Sequence, residues 1–363
     1  MGLMYDAIVI GGGVIGLSIA RELAGRRSVL LLDRGTTGTG ASWAAAGMLS
    51  PLSEADDRGQ FFQLCRASFE LFRPFVEALR EESGVDSGYC GHGVLLVATS
   101  EASSNVLQQR HDWQRRAGFE VELLGPEDVR KIEPLVTAPV LNGLLMPGER
   151  SVAPRRLVAA LRDACLRRRV DIREGVRVNG ISRNTVFADK TKFEGSSIVV
   201  ASGVWSADLQ GLDPPMPLYP RKGQILSLRM PATSFRHMIR WEHTYFVPRS
   251  SGELVVGATD EDAGFDGSIT AAGIGRLLAD AQVISSHVGA YPILETWTGL
   301  RPATPDGLPI LGPAASPGVY YAAGHYRNGI LLAPITASII ADVVENRRPA
   351  VSIEAYAPSR FAK

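Results

Sequence analysis

The sequence predicts an α/β protein (α+β overall), with a helix-flanked parallel sheet interleaved with a second domain built on antiparallel sheet. Three observations predict it. The opening "YDAIVIGGGVIGLSIARELAGRRSVLLLDRG" passes from an apolar run through a glycine turn into helical spacing and a second apolar run, the pattern of a βαβ unit. Similar buried-strand pieces recur in the middle and at the end, in "SSIVVASGVWS" and "GVYYAAGH". Between them, "KGQILSLRM", "HTYFVPR" and "ELVVGAT" read as antiparallel strands.

In chain order, residues 7–10 form a strand buried on both faces, 14–24 a helix and 29–32 a second buried strand. Residues 54–80 have helical spacing through Phe61, Leu64, Phe69 and Phe72, with Pro74 expected to kink or divide the helix. "GVLLVAT" and "NGLLMPG" are short strands, and "APRRLVAALRDACLRRRVDIREG" returns to helix then strand. A hairpin turn is expected at residues 250–252. The Pro- and Gly-rich residues 301–312 lead to the last strand and a final helix, with Asn328 a good N-cap type. Two domains of separated segments result: residues 1–85, 146–215 and 296–363 in one, 86–145 and 216–295 in the other.

Composition narrows the class of partner. Lys plus Arg (38) equals Asp plus Glu (38), so no overall field favours nucleic acid or an anionic membrane. Cys65, Cys90 and Cys165 form no CxxC and fit a reduced compartment. The first apolar stretch is broken by Gly11, Gly12, Gly13 and Gly16 and lacks a basic leader, and no segment reaches the roughly 18 apolar residues of a membrane span. A cytoplasmic protein without a metal site is expected.

Gly11, Gly13 and Gly16 supply G-x-G-x-x-G directly after a strand and at a helix start, where backbone N–H groups and the helix's positive end can meet a pyrophosphate. Asp33 ends the second strand, placed to accept hydrogen bonds from ribose hydroxyls. This Rossmann-like fingerprint predicts dinucleotide binding without choosing between NAD and FAD. In "TGTGASWAAAGMLSP" small residues dominate from Gly38 to Gly47, which suits either close approach to a bulky planar group or an Ala-rich helix start. In "GHYRNGILLAPITASII" four polar residues, His325 to Asn328, stand between Gly324 and Gly329. A helix cap does not require the arginine.

The blocks "AIVIGGGVIG", "SWAAAGML", "VVASGVWS" and "GLRPATPDGLP" with "GHYRNGILLAP" resemble the flavin-dependent amino acid oxidases of the D-amino acid oxidase superfamily, most closely the glycine oxidases. The resemblance runs from the first strand to the last helix. It implies an FAD-binding domain and a substrate-binding domain, with FAD held by the fingerprint turn at Val14 and Ile15 and by Asp33, beside Arg34, where the family usually has Glu. Further FAD contacts are implied at Ala41, Ser42, Ala46, Gly47 and Met48, at Val178, and at Gly203 in the third block. His325, Tyr326, Arg327, Asn328, Gly329, Ile330 and Leu331 would surround the isoalloxazine ring, with the final helix's N-terminus aimed at it.

For the substrate, the resemblance implies that Arg301 binds a carboxylate, with Arg327 near the substrate and Tyr245, His243 and Met48 lining its site; pairing of either arginine with a carboxylate such as Glu295 is the structural alternative. The implied reaction passes a hydride from the amino acid's α-carbon to flavin, giving an imino acid that hydrolyses to a keto acid and ammonia, with dioxygen reduced to hydrogen peroxide. FAD is expected to be non-covalent, because no cysteine stands where the related sarcosine oxidases tether theirs. A small amino acid and dioxygen are the expected partners, with self-association left open. Rival readings are a flavin dehydrogenase of D-amino or N-methyl amino acids using another acceptor, an NAD-dependent dehydrogenase and a non-catalytic binding module. One departure stands out: after "VVGAT" the family tends to an apolar residue, whereas this chain has Asp260, expected here to face the pocket, with a solvent-facing place at a strand end beside Glu261 and Asp262 in an acidic loop as the alternative.

Overall fold

The computed structural model describes residues 4–189, 191–231 and 235–362. The opening βαβ unit forms as its pattern requires. Strand Met4–Ile10 pairs in parallel with Val29–Leu32 on one side and Thr191–Val200 on the other, and helix Val14–Leu23 connects the first two. Ala7, Ile8 and Val9 are completely buried, as a parallel strand covered on both faces demands. Among the described residues this sheet runs in the order Ile310–Pro313, Val319–Ala323, Thr191–Val200, Met4–Ile10, Val29–Leu32, Asp171–Arg173, with the hairpin strands Val178–Ser182 and Thr185–Ala188 added at one side. Helices Val14–Leu23, Gln60–Ser83, Pro154–Arg167 and Ala333–Val344 cover one face.

The second sheet is ordered Ile293–Ala303, Tyr219–Arg229, Glu253–Gly257, Thr244–Pro248, Met238–Trp241, Val94–Ala98, Asn142–Met146, Glu122–Leu124. It is antiparallel except where Val94–Ala98 meets Met238–Trp241 in parallel. The hairpin turn closes at Gly252, whose φ of 82° lies where only glycine is unstrained. Strand Ile293–Ala303 pairs along most of its length with Tyr219–Arg229. The expected division after residue 295 falls inside this strand, so Arg301 hangs from the second sheet.

Two local expectations are corrected. Pro74 does not divide the helix, which is continuous over Gln60–Ser83; the proline faces solvent, where water can serve the carbonyl that loses its donor. The final helix does not start at Asn328. A 3-10 turn, Tyr326–Asn328, comes first, and the helix Ala333–Val344 begins one turn later with Pro334 in its first turn, where a missing N–H costs nothing. Among the described residues no helix is long and apolar enough to cross a membrane.

Glu149 lies buried beneath the turn Pro51–Glu54. One oxygen accepts the Leu52 N–H at 3.1 Å and the other has no partner among the described residues. Burial, opposed by that N–H and the Ser50 hydroxyl, pushes its carboxyl up to about 8. A carboxyl raised on folding favours the native state while protonated. Its contribution is complete below the ordinary value of 4.5 and disappears as pH rises through about 8. Glu149→Gln, which cannot ionise, is therefore expected to flatten the fall in Tm between roughly pH 5 and 9 and to melt above the wild type at the alkaline end. An unchanged Tm slope in the variant would rule this out.

Candidate functional site

A cavity of about 730 Å³ opens between the two sheets and draws its walls from both. The fingerprint makes one wall. Gly16 lies where an added Cβ would overlap the Gly11 carbonyl oxygen, so only glycine lets the helix sit this close to the strand. Gly11, Gly13, Val14 and Ile15 then line the cavity at the helix's N-terminus, where N–H groups lack intrahelical acceptors. Gly16 itself packs behind them. Ser42 accepts the Val14 N–H at 2.9 Å, tying the small-residue segment to this end. Asp33 holds the turn through both oxygens, accepting the Gly12 N–H at 2.6 Å and the Gly35 N–H at 2.7 Å. Beside it Arg34 stacks on Trp205, 4.3 Å from the ring centroid. Ala41, Ala46, Gly47, Met48, Val178 and Gly203 also line the cavity.

The last loop closes another wall with His325, Tyr326, Arg327, Gly329 and Ile330. Asn328 and Leu331 do not line the cavity. The Asn328 carbonyl accepts the Leu332 N–H within the turn, and Leu331 is buried in the helix-covered core while its carbonyl accepts the Ser68 hydroxyl at 2.6 Å. His325 is buried against Thr336, Nε2 to Oγ1 3.1 Å, and burial pushes its imidazole down to about 3, so it is neutral.

Cationic side chains gather around Tyr245. Strand alternation puts His243 and Tyr245 on the cavity side, while Thr244 and Phe246 turn into the sheet's other face. Burial pushes the Tyr245 phenol up, with Arg301, Arg327 and Arg240 pulling against it. The phenol therefore keeps its proton. Arg301 is half-buried, and its guanidinium occupies space that a Cβ at Gly223 on the paired strand would fill. It donates to the Thr259 carbonyl at 3.1 Å and has no carboxylate partner among the described residues. Glu295, the alternative partner, is bound instead by Arg155 at 2.8 and 3.2 Å.

Asp260 corrects the expectation placed on it. It does not line the cavity. One oxygen accepts Arg221 Nε at 2.9 Å, and the other accepts the Tyr326 hydroxyl at 2.7 Å and Arg327 Nη2 at 2.9 Å. Burial opposes ionisation, but these donors outweigh it and hold the carboxyl at about 2. Sequence reading missed Arg240, on a strand it did not identify; its guanidinium donates to the Ser53 carbonyl and hydroxyl at 3.3 and 3.0 Å. Trp205 was also missed, although it lies in a quoted block. Among the described residues no cluster of metal-ligating side chains occurs.

A flavin dinucleotide fits these residues: a tight glycine turn at a helix N-terminus, an acid at the next strand end, small residues along the wall and a cation-flanked end. Residues 6–343 match the family described as DAO, FAD dependent oxidoreductase. The chain is 37% identical to the bifunctional protein ThiO/ThiG of Synechocystis over 98% of its length, yet spans only 54% of that protein. It is 35% identical to a glycine oxidase of Geobacillus kaustophilus, covering 98% of this chain and 97% of the relative. A crystal structure of glycine oxidase from Geobacillus kaustophilus superposes with a TM-score of 0.95 over 98% of this chain and 99% of that one, at 33% identity. The chain belongs to the DAO family of FAD-dependent oxidoreductases.

Proposed function

We propose that this chain catalyses the FAD-dependent oxidative deamination of glycine and other small amino acids, producing an imino acid that hydrolyses to a keto acid and ammonia. One observation carries the reading: Arg301, a half-buried cation without a carboxylate partner among the described residues, lies beside Tyr245 in the same cavity as the dinucleotide cradle. FAD supplies the redox chemistry, accepting a hydride from the α-carbon and returning the electrons to dioxygen as hydrogen peroxide. The chain's own task is positioning. Arg301 grips the substrate carboxylate with two parallel hydrogen bonds, and the protonated Tyr245 phenol donates to the same group. His243, exposed at the cavity edge, lines the entrance. A substrate amine entering neutral requires no general base from the protein.

FAD is held without a covalent bond, in keeping with Cys65, Cys90 and Cys165 all lying outside the cavity wall. The three free thiols fit a reducing, cytoplasmic setting. Purified yellow protein supplied with glycine, sarcosine and D-alanine in air is expected to release peroxide and the matching keto acid. Bleaching by glycine without oxygen, but no peroxide in air, would instead identify a dehydrogenase with another acceptor. Yellow protein that none of these amines bleaches would overturn the reading.

A further inference from the structure

Arg240, Arg301 and Arg327 line the end of the cavity that holds Tyr245, and the last two are in different electrostatic states. Among the described residues Arg301 donates only to backbone carbonyls. Arg327 is already engaged by Asp260, 67 residues away in sequence, and that carboxylate is itself fixed by Arg221 Nε and the Tyr326 hydroxyl. Asp260 thus stands where a second ligand carboxylate would pair with Arg327.

We propose that Asp260 is a positioning residue that determines specificity: an internal carboxylate that occupies Arg327 and selects ligands with one carboxylate over those with two. This rests on the reading of the cavity as an amino acid site. A glycine-like ligand needs only Arg301. A ligand with a second carboxylate reaching Arg327 must displace Asp260 from charge-assisted hydrogen bonds with two guanidiniums and a phenol, or lie beside a like charge. Glu54, which lines the cavity 3.4 Å from Arg240, adds negative charge rather than relieving it. Removing the Asp260 charge would leave Arg327 free to take the second carboxylate.

The test uses the flavin-loaded enzyme and two ligands that carry no amine. Diglycolate has two carboxylates flanking an ether, and methoxyacetate is its one-carboxylate counterpart. Their Kd values are read from the visible flavin spectrum in wild type and in Asp260→Asn. The variant is expected to shift the ratio of the two Kd values toward diglycolate by at least about tenfold. Adding Arg327→Met should cancel the shift, while Asp260→Glu should retain the wild-type ratio. Should Asp260→Asn lose flavin, Asp260→Met removes the same charge and gives the same readout. A ratio unchanged within about twofold, or a shift that survives Arg327→Met, overturns the proposal. Turnover provides a second arm, with kcat/KM for iminodiacetate rising relative to glycine in Asp260→Asn. If wild type turns over no amino acid, the proposed function falls, while the titration still decides what Asp260 selects.

Discussion

Arg301→Ala is expected to lower kcat/KM for glycine by roughly 10- to 150-fold, mainly through KM, because a hydrogen-bonded charged partner contributes about 1.5–3 kcal/mol. The cause lies in what surrounds the guanidinium. It is half-buried, its nearest protein acceptors are the carbonyls of Thr259 and Lys222, and its would-be partner Glu295 is taken by Arg155. A desolvated cation without a counter-ion is costly, and a bound carboxylate supplies what the described residues do not. Arg301→Lys keeps the charge but loses the planar fork, so it should recover only part of the loss. Flavin content should be unchanged in both variants. A normal KM in Arg301→Ala would reduce Arg301 to a strand-anchoring role.

Gly16→Ala is expected to abolish stable flavin binding and to yield nearly colourless protein. The added methyl would overlap the Gly11 carbonyl oxygen, and both atoms belong to the backbone of the fingerprint. No rotamer change relieves this. The helix must move off the strand, carrying with it the N-terminus that lines the cavity at Gly13, Val14 and Ile15. Overpacking of this kind costs about 1–3 kcal/mol in stability, so the chain should still fold while the cradle is lost. Gly148→Ala is the control, since a Cβ there meets nothing within 4 Å. The ratio of flavin to protein absorbance separates the outcomes: full occupancy in Gly16→Ala would show that the turn tolerates a side chain.

Legibility followed the range of the interactions. The first βαβ unit lies within about thirty residues, and its apolar runs, glycines and acid all act on near neighbours, so strands and helix appeared where their spacing put them. Alternation along Thr244–Pro248 was equally local, and it correctly set Tyr245 on one face and Phe246 on the other. The helix Ala271–Ile284 and the parallel pairing of Val94–Ala98 with Met238–Trp241 left no such mark. Helical spacing is ambiguous in a segment rich in alanine and glycine, and a parallel contact joins strands more than a hundred residues apart.

The sequence by itself determined the chemistry available: a glycine turn only a close helix–strand approach explains, an acid one strand later, and arginines in blocks that resemble flavin oxidases. Only the tertiary structure decided which charges meet. Asp260 at a strand end has the same sequence signal whether it faces solvent, the cavity or another side chain, and the fold sets it against Arg221, Tyr326 and Arg327. Glu295 lies six residues from Arg301, yet it pairs with Arg155 from a distant helix. An ion pair forms over a few ångströms of space. Residue order fixes composition and period along the chain, whereas the packing of one sheet against another sets those distances, giving Arg327 a carboxylate partner and Arg301 none among the described residues.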